Sequence, residues 1–539
     1  MFNSDYMRVE IIFKYGVCRV LSVLLLILII AGTNTSCSKI DDVQSERLAT
    51  EETNWKTLED GRANLMSIYG LMRSATISDN GHWLMGDLRQ GDFEITNRAD
   101  LKAIINEQLN ASHPTINRIT NWRRFYAVIN AASLFIERSA EILEHDRRYT
   151  KINSDVDIAQ ARILRAFAYF YMVRIWGDVP LLTSSNDGNF VTLERTSKER
   201  VLSYCTGELL QAAKVVPFRY GGTDPIMPGA YYGEGWSSWN GNVFTRISAY
   251  IILAHIAAWE GNYIDAVNYS KFVVDNRNLI NGDGSYGISY LNMDALTENE
   301  ISYSPFGYKR ATVLVGFPSE TGNGLATANG HIEQLTLASP FIPKSTPEMF
   351  VPKDTIINVF TDPRDLRFSK DLLTQKYRTN YFFGFETERP IFNKIKVIHG
   401  AATSGNMTMY ASSMVFSRLE EITLLLAESY AAIGDVDRAL QYLNQACERR
   451  GLNYTKATHP DIIKAVFEER RKELMGEGWR WYDIVREQRL KKLNTTFISK
   501  NGINMTFREF ENAGGVYWPV SQDVIDANKL IKQNPYWEF

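Results

Sequence analysis

Cysteine is scarce in this 539-residue chain: Cys18, Cys37, Cys205 and Cys447 are the full set, and none stands in a CxxC or Cys/His spacing. That excludes a disulfide framework and a zinc site of the usual spacing. Charge of one sign is also scarce, with 59 basic against 62 acidic residues and a net charge of −3. Nucleic acid, which needs a concentrated positive field, is excluded as a partner. HExxH, GxSxG and Walker A signatures are missing, and the seven histidines are scattered without metal-ligand spacing. An enzyme is not indicated, and no cofactor or metal is expected. Among 62 acidic residues some pair falls about 5–9 Å apart in any fold, so a surface glycoside hydrolase stays as the enzymatic alternative. Asn281-Gly282-Asp283-Gly284 hints at a calcium loop, but its twelfth position is Asn292 rather than Glu, which favours a glycine-rich turn. What is present is 45% hydrophobic residue, enough for a large core.

No apolar run approaches the ~20 residues of a membrane-spanning helix. The longest, Val20 to Ala31, has 12 residues, follows Arg8, Lys14 and Arg19, and leads through small residues to Cys37. This pattern predicts a signal peptide over 1–36, with translation from Met1 or Met7. Cys37 stands where a bacterial lipoprotein carries its lipidated cysteine, although Asn34-Thr35-Ser36 departs from the usual triplet. A diacylglyceryl group plus an N-acyl chain would give the two or more chains that stable anchoring requires. Cleavage by an ordinary signal peptidase near Ser36 is the alternative. Residues 37–54 are polar and aperiodic, as a tether would be. Cys205 and Cys447 fall in helical patterns and read as small buried hydrophobes.

Folding is expected from Trp55 onward as one domain over 55–539. Helical periodicity covers about 55–73, 116–145, 154–176, 197–214, 243–260 and 262–276, then about 413–433, 435–450, 459–475 and 477–489. Ser154 and Asp157 resemble a capping-box start, and Gly177 with Pro180 ends that helix. Ala254, Ala258, Gly261, Ala266 and Tyr269 share their spacing with Ala427, Ala431, Gly434, Ala439 and Tyr442. The period is that of a tetratricopeptide helix pair: alanines let two helices approach and glycine permits the reversal. The expected fold is therefore mainly α, a tetratricopeptide-like α-α superhelix over about 55–276 and 412–489. A large irregular lobe of loops and short strands over 277–411 interrupts it, and a tail over 490–539 completes the chain.

Residues 217–242 hold six glycines, three prolines and six aromatics. Such a segment suits a functional loop. Tyr231, Tyr232, Trp236 and Trp239 could form a flat platform for the apolar faces of sugars or for peptide side chains; equally, the rings could plug the helical core. Trp83, Asp87 and Arg89, in the stretch Trp83–Asp92, are a second candidate ligand set, with an Asp87–Arg89 structural pair as the alternative. Tyr377, Tyr381, Phe382, Phe383 and Phe385 could line a rim or form the lobe's own core.

Ala161-Arg162-Ile163-Leu164-Arg165-Ala166-Phe167-Ala168-Tyr169-Phe170 and Trp176-Gly177-Asp178-Val179-Pro180-Leu181 form one motif at the end of a helix. Further motifs are Asp362-Pro363-Arg364, Arg418-Leu419-Glu420-Glu421, Glu469-Arg470-Arg471-Lys472-Glu473-Leu474 and Glu477-Gly478-Trp479-Arg480-Trp481-Tyr482-Asp483, with Tyr517-Trp518-Pro519-Val520 and Gln533-Asn534-Pro535-Tyr536-Trp537. In these stretches the chain resembles the SusD/RagB family of Bacteroidetes lipoproteins. Arg162 and Arg165, one turn apart, and the repeated carboxylates of Glu469 to Glu473 suggest buried ion pairs rather than ligand groups. Ser38-Lys39-Ile40-Asp41-Asp42 is similar to the acidic export tag of surface-directed Bacteroidetes lipoproteins. The resemblance implies an outer-membrane lipoprotein facing outward that captures glycan oligosaccharides, or alternatively peptides. Its implied partner is a SusC-type TonB-dependent transporter, over whose mouth it sits as a hinged lid.

Overall fold

Helix α3, Lys151–Trp176, is buried on every side from Ile163 to its end, as a helix without a polar face must be. It starts four residues earlier than a cap at Ser154 would place it. Thr150 caps it, accepting from Asn153 N–H while the Asn153 side chain accepts in return. Asp157 is therefore free of any capping role. At the other end Gly177 takes φ 76°, against the Tyr517 ring. The computed structural model describes residues 54–185, 192–280, 288–300, 303–307, 313–318, 330–399, 409–500 and 503–538. The signal run, Cys18, Cys37, nearly all of the tether and Asn281–Gly284 lie outside them. Contacts divide the chain into residues 1–56 and 57–539, and the whole helical scaffold lies in the second of these units.

Around α3 the helices stack in chain order. α1 (Leu58–Ile77) packs on α2 (Arg123–Arg138), α2 on α3, α3 on α4 (Lys198–Val215), and α4 on α5 (Arg246–Glu260). α5 turns back on α6 (Tyr263–Asn276) through Gly261 at φ 79°. Across the long insertion, α6 packs on α7 (Leu419–Ala432), which turns back on α8 (Val436–Cys447) through Gly434 at φ 85°. α9 (Ile462–Glu473) and α10 (Arg480–Lys491) complete the stack. Both repeated hairpins are thus present, and the two parts of the scaffold share one core, because neither can bury its faces alone. Tyr430 and Tyr442 stack at 5.6 Å in the second hairpin. Cys205 and Cys447 are buried free thiols. Among the described residues no helix is long and apolar enough to cross a membrane.

The helical pattern expected over 116–145 is broken into three pieces, of which α2 is the longest. The one expected over 413–433 begins as a strand: β2, Met414–Arg418, pairs antiparallel with β1, Val313–Phe317, and only then does α7 start. Pairing with a segment about a hundred residues away overrides local periodicity. The lobe has a core of its own. Tyr381 and Phe382 are fully buried, and the rings of Phe360, Phe368 and Phe392 pack on them. Phe385 is buried beside Phe368, while Phe383 keeps 36% exposure. That packing corrects the rim reading for Tyr381, Phe382 and Phe385, while Tyr377 is half-buried and stacks on Phe368.

Ion pairs tie the scaffold helices together and, through Arg367, join them to the lobe. Arg162 and Arg165 of α3 both reach Glu208 of α4, at 2.6 and 2.5 Å. Glu473 of α9 accepts from Arg450, Arg418 and Arg367 at 2.7, 2.9 and 3.1 Å, all fully buried. Glu469 also pairs with Arg367, at 2.7 Å. Buried charges are tolerated only when paired in this way.

Candidate functional site

The stretch Trp83–Asp92 begins just after a kink. Asp79 and Asn80, both at positive φ, end α1, and Arg118 and Arg124 hold the Asp79 carboxylate at 2.7 and 2.9 Å. A π-helical turn spans Leu84–Leu88. Its Gly86 is pressed against the Gly478 carbonyl so closely that no β-carbon fits. Asp87 is buried and accepts from Gly478 N–H at 2.6 Å. Burial pushes its carboxyl up to about 7, with the Gly478 N–H pulling the other way. Arg89 is fully buried, 3.9 Å from the Trp481 ring centre, paired with Glu107 at 2.9 Å and donating to the carbonyls of Gly515 and Val516. Trp83 is 3% exposed, edge-on to His82. In this conformation none of the three can touch a ligand, and the expected Asp87–Arg89 pair is not formed either. Asp87 and Arg89 serve the fold, each closing a contact between the turn and the C-terminal segment, and Trp83 is buried.

The loop over 217–242 is pinned from both ends. Asp224 accepts from the N–H groups of Phe218, Arg219, Ile226 and Met227, an Asx-type organisation that suits a segment with no helix or strand of its own. Beneath the loop lies Asp157 of α3, wholly buried. Tyr231, Tyr232 and Tyr149 all donate their hydroxyls to it, Tyr232 at 2.6 Å and Tyr149 at 2.9 Å. Gln160 donates to the Tyr231 oxygen and accepts from Tyr69, each at 2.9 Å. Burial pushes the Asp157 carboxyl up to about 7 even though three donors favour its ionised form. Trp239 is 6% exposed, donates to the Tyr231 carbonyl at 3.0 Å, packs on Tyr231 at 4.9 Å and has the Arg62 guanidinium over its ring at 5.3 Å.

Tyr231, Tyr232 and Trp239 are accordingly core plugs, and the platform expectation is corrected for these three. Each has its polar atom satisfied inside, which is the condition for burying such rings. Trp236 differs. It opens a one-turn helix, Trp236–Trp239, after exposed Gly235, and remains half-buried. A β-carbon on exposed Gly222 would touch its ring edge. Of the loop's four candidate aromatics, Trp236 is the one that is not buried. Sequence reasoning missed Asp157 and Asp224: the first looked like a cap, and the second lay unremarked in Thr223-Asp224-Pro225, a turn signal that could have marked it.

Among the described residues no group of His, Cys, Asp and Glu side chains is arranged to hold a metal ion. Asn292 caps a short helical turn instead, accepting from Ala295 N–H at 2.8 Å.

Residues 383–537 match the model of the SusD family, and residues 62–225 match one described as starch-binding associating with outer membrane. A solved SusD superfamily protein from Bacteroides thetaiotaomicron VPI-5482 is 43% identical, over 90% of this chain and 99% of that one, with a TM-score of 0.78. This chain belongs to the SusD family. SusD-like protein P38 of Formosa agariphila is 23% identical over 96% of this chain and 99% of its own length. NanU of B. fragilis shares the fold at a TM-score of 0.63 and 16% identity, over 92% of this chain and all of its own. Mainly α architecture and the resemblance drawn from the helix-end motifs both agree with this SusD-family membership.

Proposed function

We propose that this SusD-family protein captures oligosaccharides at the cell surface and delivers them to a SusC-type TonB-dependent transporter in the outer membrane, closing over it as a lid. It binds and does not cleave. Lipidation at Cys37 would hold it to the membrane, with the 37–54 tether as slack. Support comes from the family, whose N-terminal model is described as starch-binding associating with outer membrane. The observation that carries the sugar reading is Trp236, a half-buried indole on a glycine-rich loop whose Tyr231 and Tyr232 are held to α3 by Asp157. A rigidly supported aromatic face suits the apolar face of a pyranose ring, and glycines beside it let the sugar lie close. Titration of the purified chain with oligosaccharides of differing linkage, alongside a mixed peptide digest, tests this. Binding of a glycan that weakens in Trp236→Ala supports it, and binding of peptides alone overturns the sugar reading.

A further inference from the structure

Between the lobe and α9 the surface opens into a cleft of about 580 Å³ that shares no residue with the aromatic loop. Its volume lies within the ~300–1,000 Å³ of ordinary small-molecule sites. Both walls are fixed. On the lobe side, Asp362 accepts from Arg364 N–H at 2.9 Å and from its guanidinium at 2.6 Å. The Arg364 carbonyl lies against Gly451, which sits at φ 77° and has no room for a β-carbon. On the helix side, Tyr454 is locked by Asn444 in both directions, at 2.6 and 2.9 Å, and its hydroxyl donates to Glu469 at 2.7 Å while accepting from Lys472 at 2.9 Å. Arg471 is paired to Asp92. The walls are therefore preorganised, which lowers the cost of binding.

The chemistry of the lining points to one class of ligand. Arg364, Arg471 and Lys472 each already hold a carboxylate, those of Asp362, Asp92 and Glu469. Neutralised in this way, the three cations do not call for an anion. What they keep is hydrogen-bonding capacity: Arg364 and Arg471 bond these partners through Nε and Nη2, and both residues line the cleft. Asn358, Thr361 and Asn453 line the same space from exposed positions. Dense, alternating donors and acceptors on neutralised walls match hydroxyl groups, each of which donates and accepts. Pro363 and Leu452 add apolar surface for ring carbons.

We propose that this cleft is a second saccharide site, which holds a neutral oligosaccharide chiefly by hydrogen bonds. The proposal rests on the reading of the protein as an oligosaccharide binder and adds a site remote in sequence from Trp236. Two sites on one chain would let a long glycan be held at two points, with the second contact favoured by effective concentration. The cleft-lining members of the Asp362-Pro363-Arg364 and Glu469–Leu474 motifs thereby gain a role that their buried neighbours, Arg367 and Glu473, do not share.

The test uses the purified full chain and four neutral hexasaccharides, of the malto-, cello-, xylo- and manno- series, with hexagalacturonate and a hexapeptide mixture as further arms. Each is titrated by calorimetry against the wild type, Trp236→Ala, and two cleft-filling variants at exposed positions, Asn453→Trp and Thr361→Trp, whose melting temperatures are checked against wild type. The expected result is a neutral hexasaccharide whose binding retains a component in Trp236→Ala, and that component falls about tenfold or more in both cleft variants. Binding lost entirely in Trp236→Ala and untouched by filling the cleft would overturn the second site while leaving the proposed function standing. A cleft-dependent signal from hexagalacturonate or peptide alone would overturn the neutral-sugar assignment. Silence from all four neutral probes in the wild type would overturn both readings together.

Discussion

The hydroxyl of Tyr232 lies 2.6 Å from a carboxylate oxygen of Asp157, across 75 residues of sequence. That bond, with those of Tyr231 and Tyr149 to the same carboxylate, hangs the aromatic loop from α3, whose second half is wholly buried. Tyr232 sits at φ 50°, an unfavourable backbone conformation for a bulky residue. The buried polar cluster offsets that strain, and the loop is thereby a fixed mount for Trp236.

The Asp157 carboxyl, raised by burial to about 7 from 3.8, makes stability depend on pH. Its folded value lies above its unfolded one, so the contribution is fully present below about pH 4 and is lost as pH rises through 7. Chemical denaturation of wild type and Asp157→Asn between pH 5 and 8 checks this. The expected outcome is that Asp157→Asn is the less stable at pH 5, and that the gap narrows toward pH 8 as the wild type loses its proton.

The two tryptophans of the one-turn helix should separate cleanly. Trp236→Ala is expected to weaken glycan binding by about 1–3 kcal/mol with little change in melting temperature. Trp239→Ala empties a buried position, removing a 3.0 Å hydrogen bond and a packed ring, and should cost about 3–5 kcal/mol of stability. Calorimetric titration and thermal melts of both variants read the difference.

Gly86→Ala should destabilise by about 1–3 kcal/mol or more, because the added carbon meets a backbone carbonyl, that of Gly478, which cannot swing aside. Gly207 is the control. It lies exposed within α4 with open space around it, and Gly207→Ala should stabilise by about 0.5–1 kcal/mol. Denaturant midpoints of the two variants should move in opposite directions.

Glu473 is held well below the usual carboxylate range: burial alone would raise it, and Arg450, Arg418 and Arg367 outweigh burial. Its contribution is present at neutral pH and is lost as pH falls through the ordinary glutamate range and below. Glu473→Gln, which leaves those arginines short of a charge, should cost about 3–5 kcal/mol at pH 7. Wild type and variant should converge on acidification when unfolding is followed by circular dichroism.

The scaffold was legible in the chain because its signals are local. Gly261 and Gly434 mark the reversals, alanines mark the close helix pairs, and the motif stretches around α3 and α9 lie on single helices. Legibility failed where a partner lies far off in sequence. Met414–Arg418 has a helix-compatible pattern and becomes a strand only through Val313–Phe317. Asp157 has the spacing of a cap and becomes an anchor only through tyrosines some seventy residues later. The site reading failed for the same reason. Whether a ring among glycines faces water or core is decided by what lies beneath it, and for Tyr231, Tyr232 and Trp239 a buried carboxylate and its neighbours lie beneath.

The central claim, that this SusD-family protein is an oligosaccharide binder whose aromatic contact is Trp236, is tested most directly by calorimetric titration of the purified chain with the oligosaccharide panel and a peptide digest. The account predicts saturable binding of at least one glycan, weakened about tenfold in Trp236→Ala. Saturable binding of peptides with no response to any glycan would contradict it.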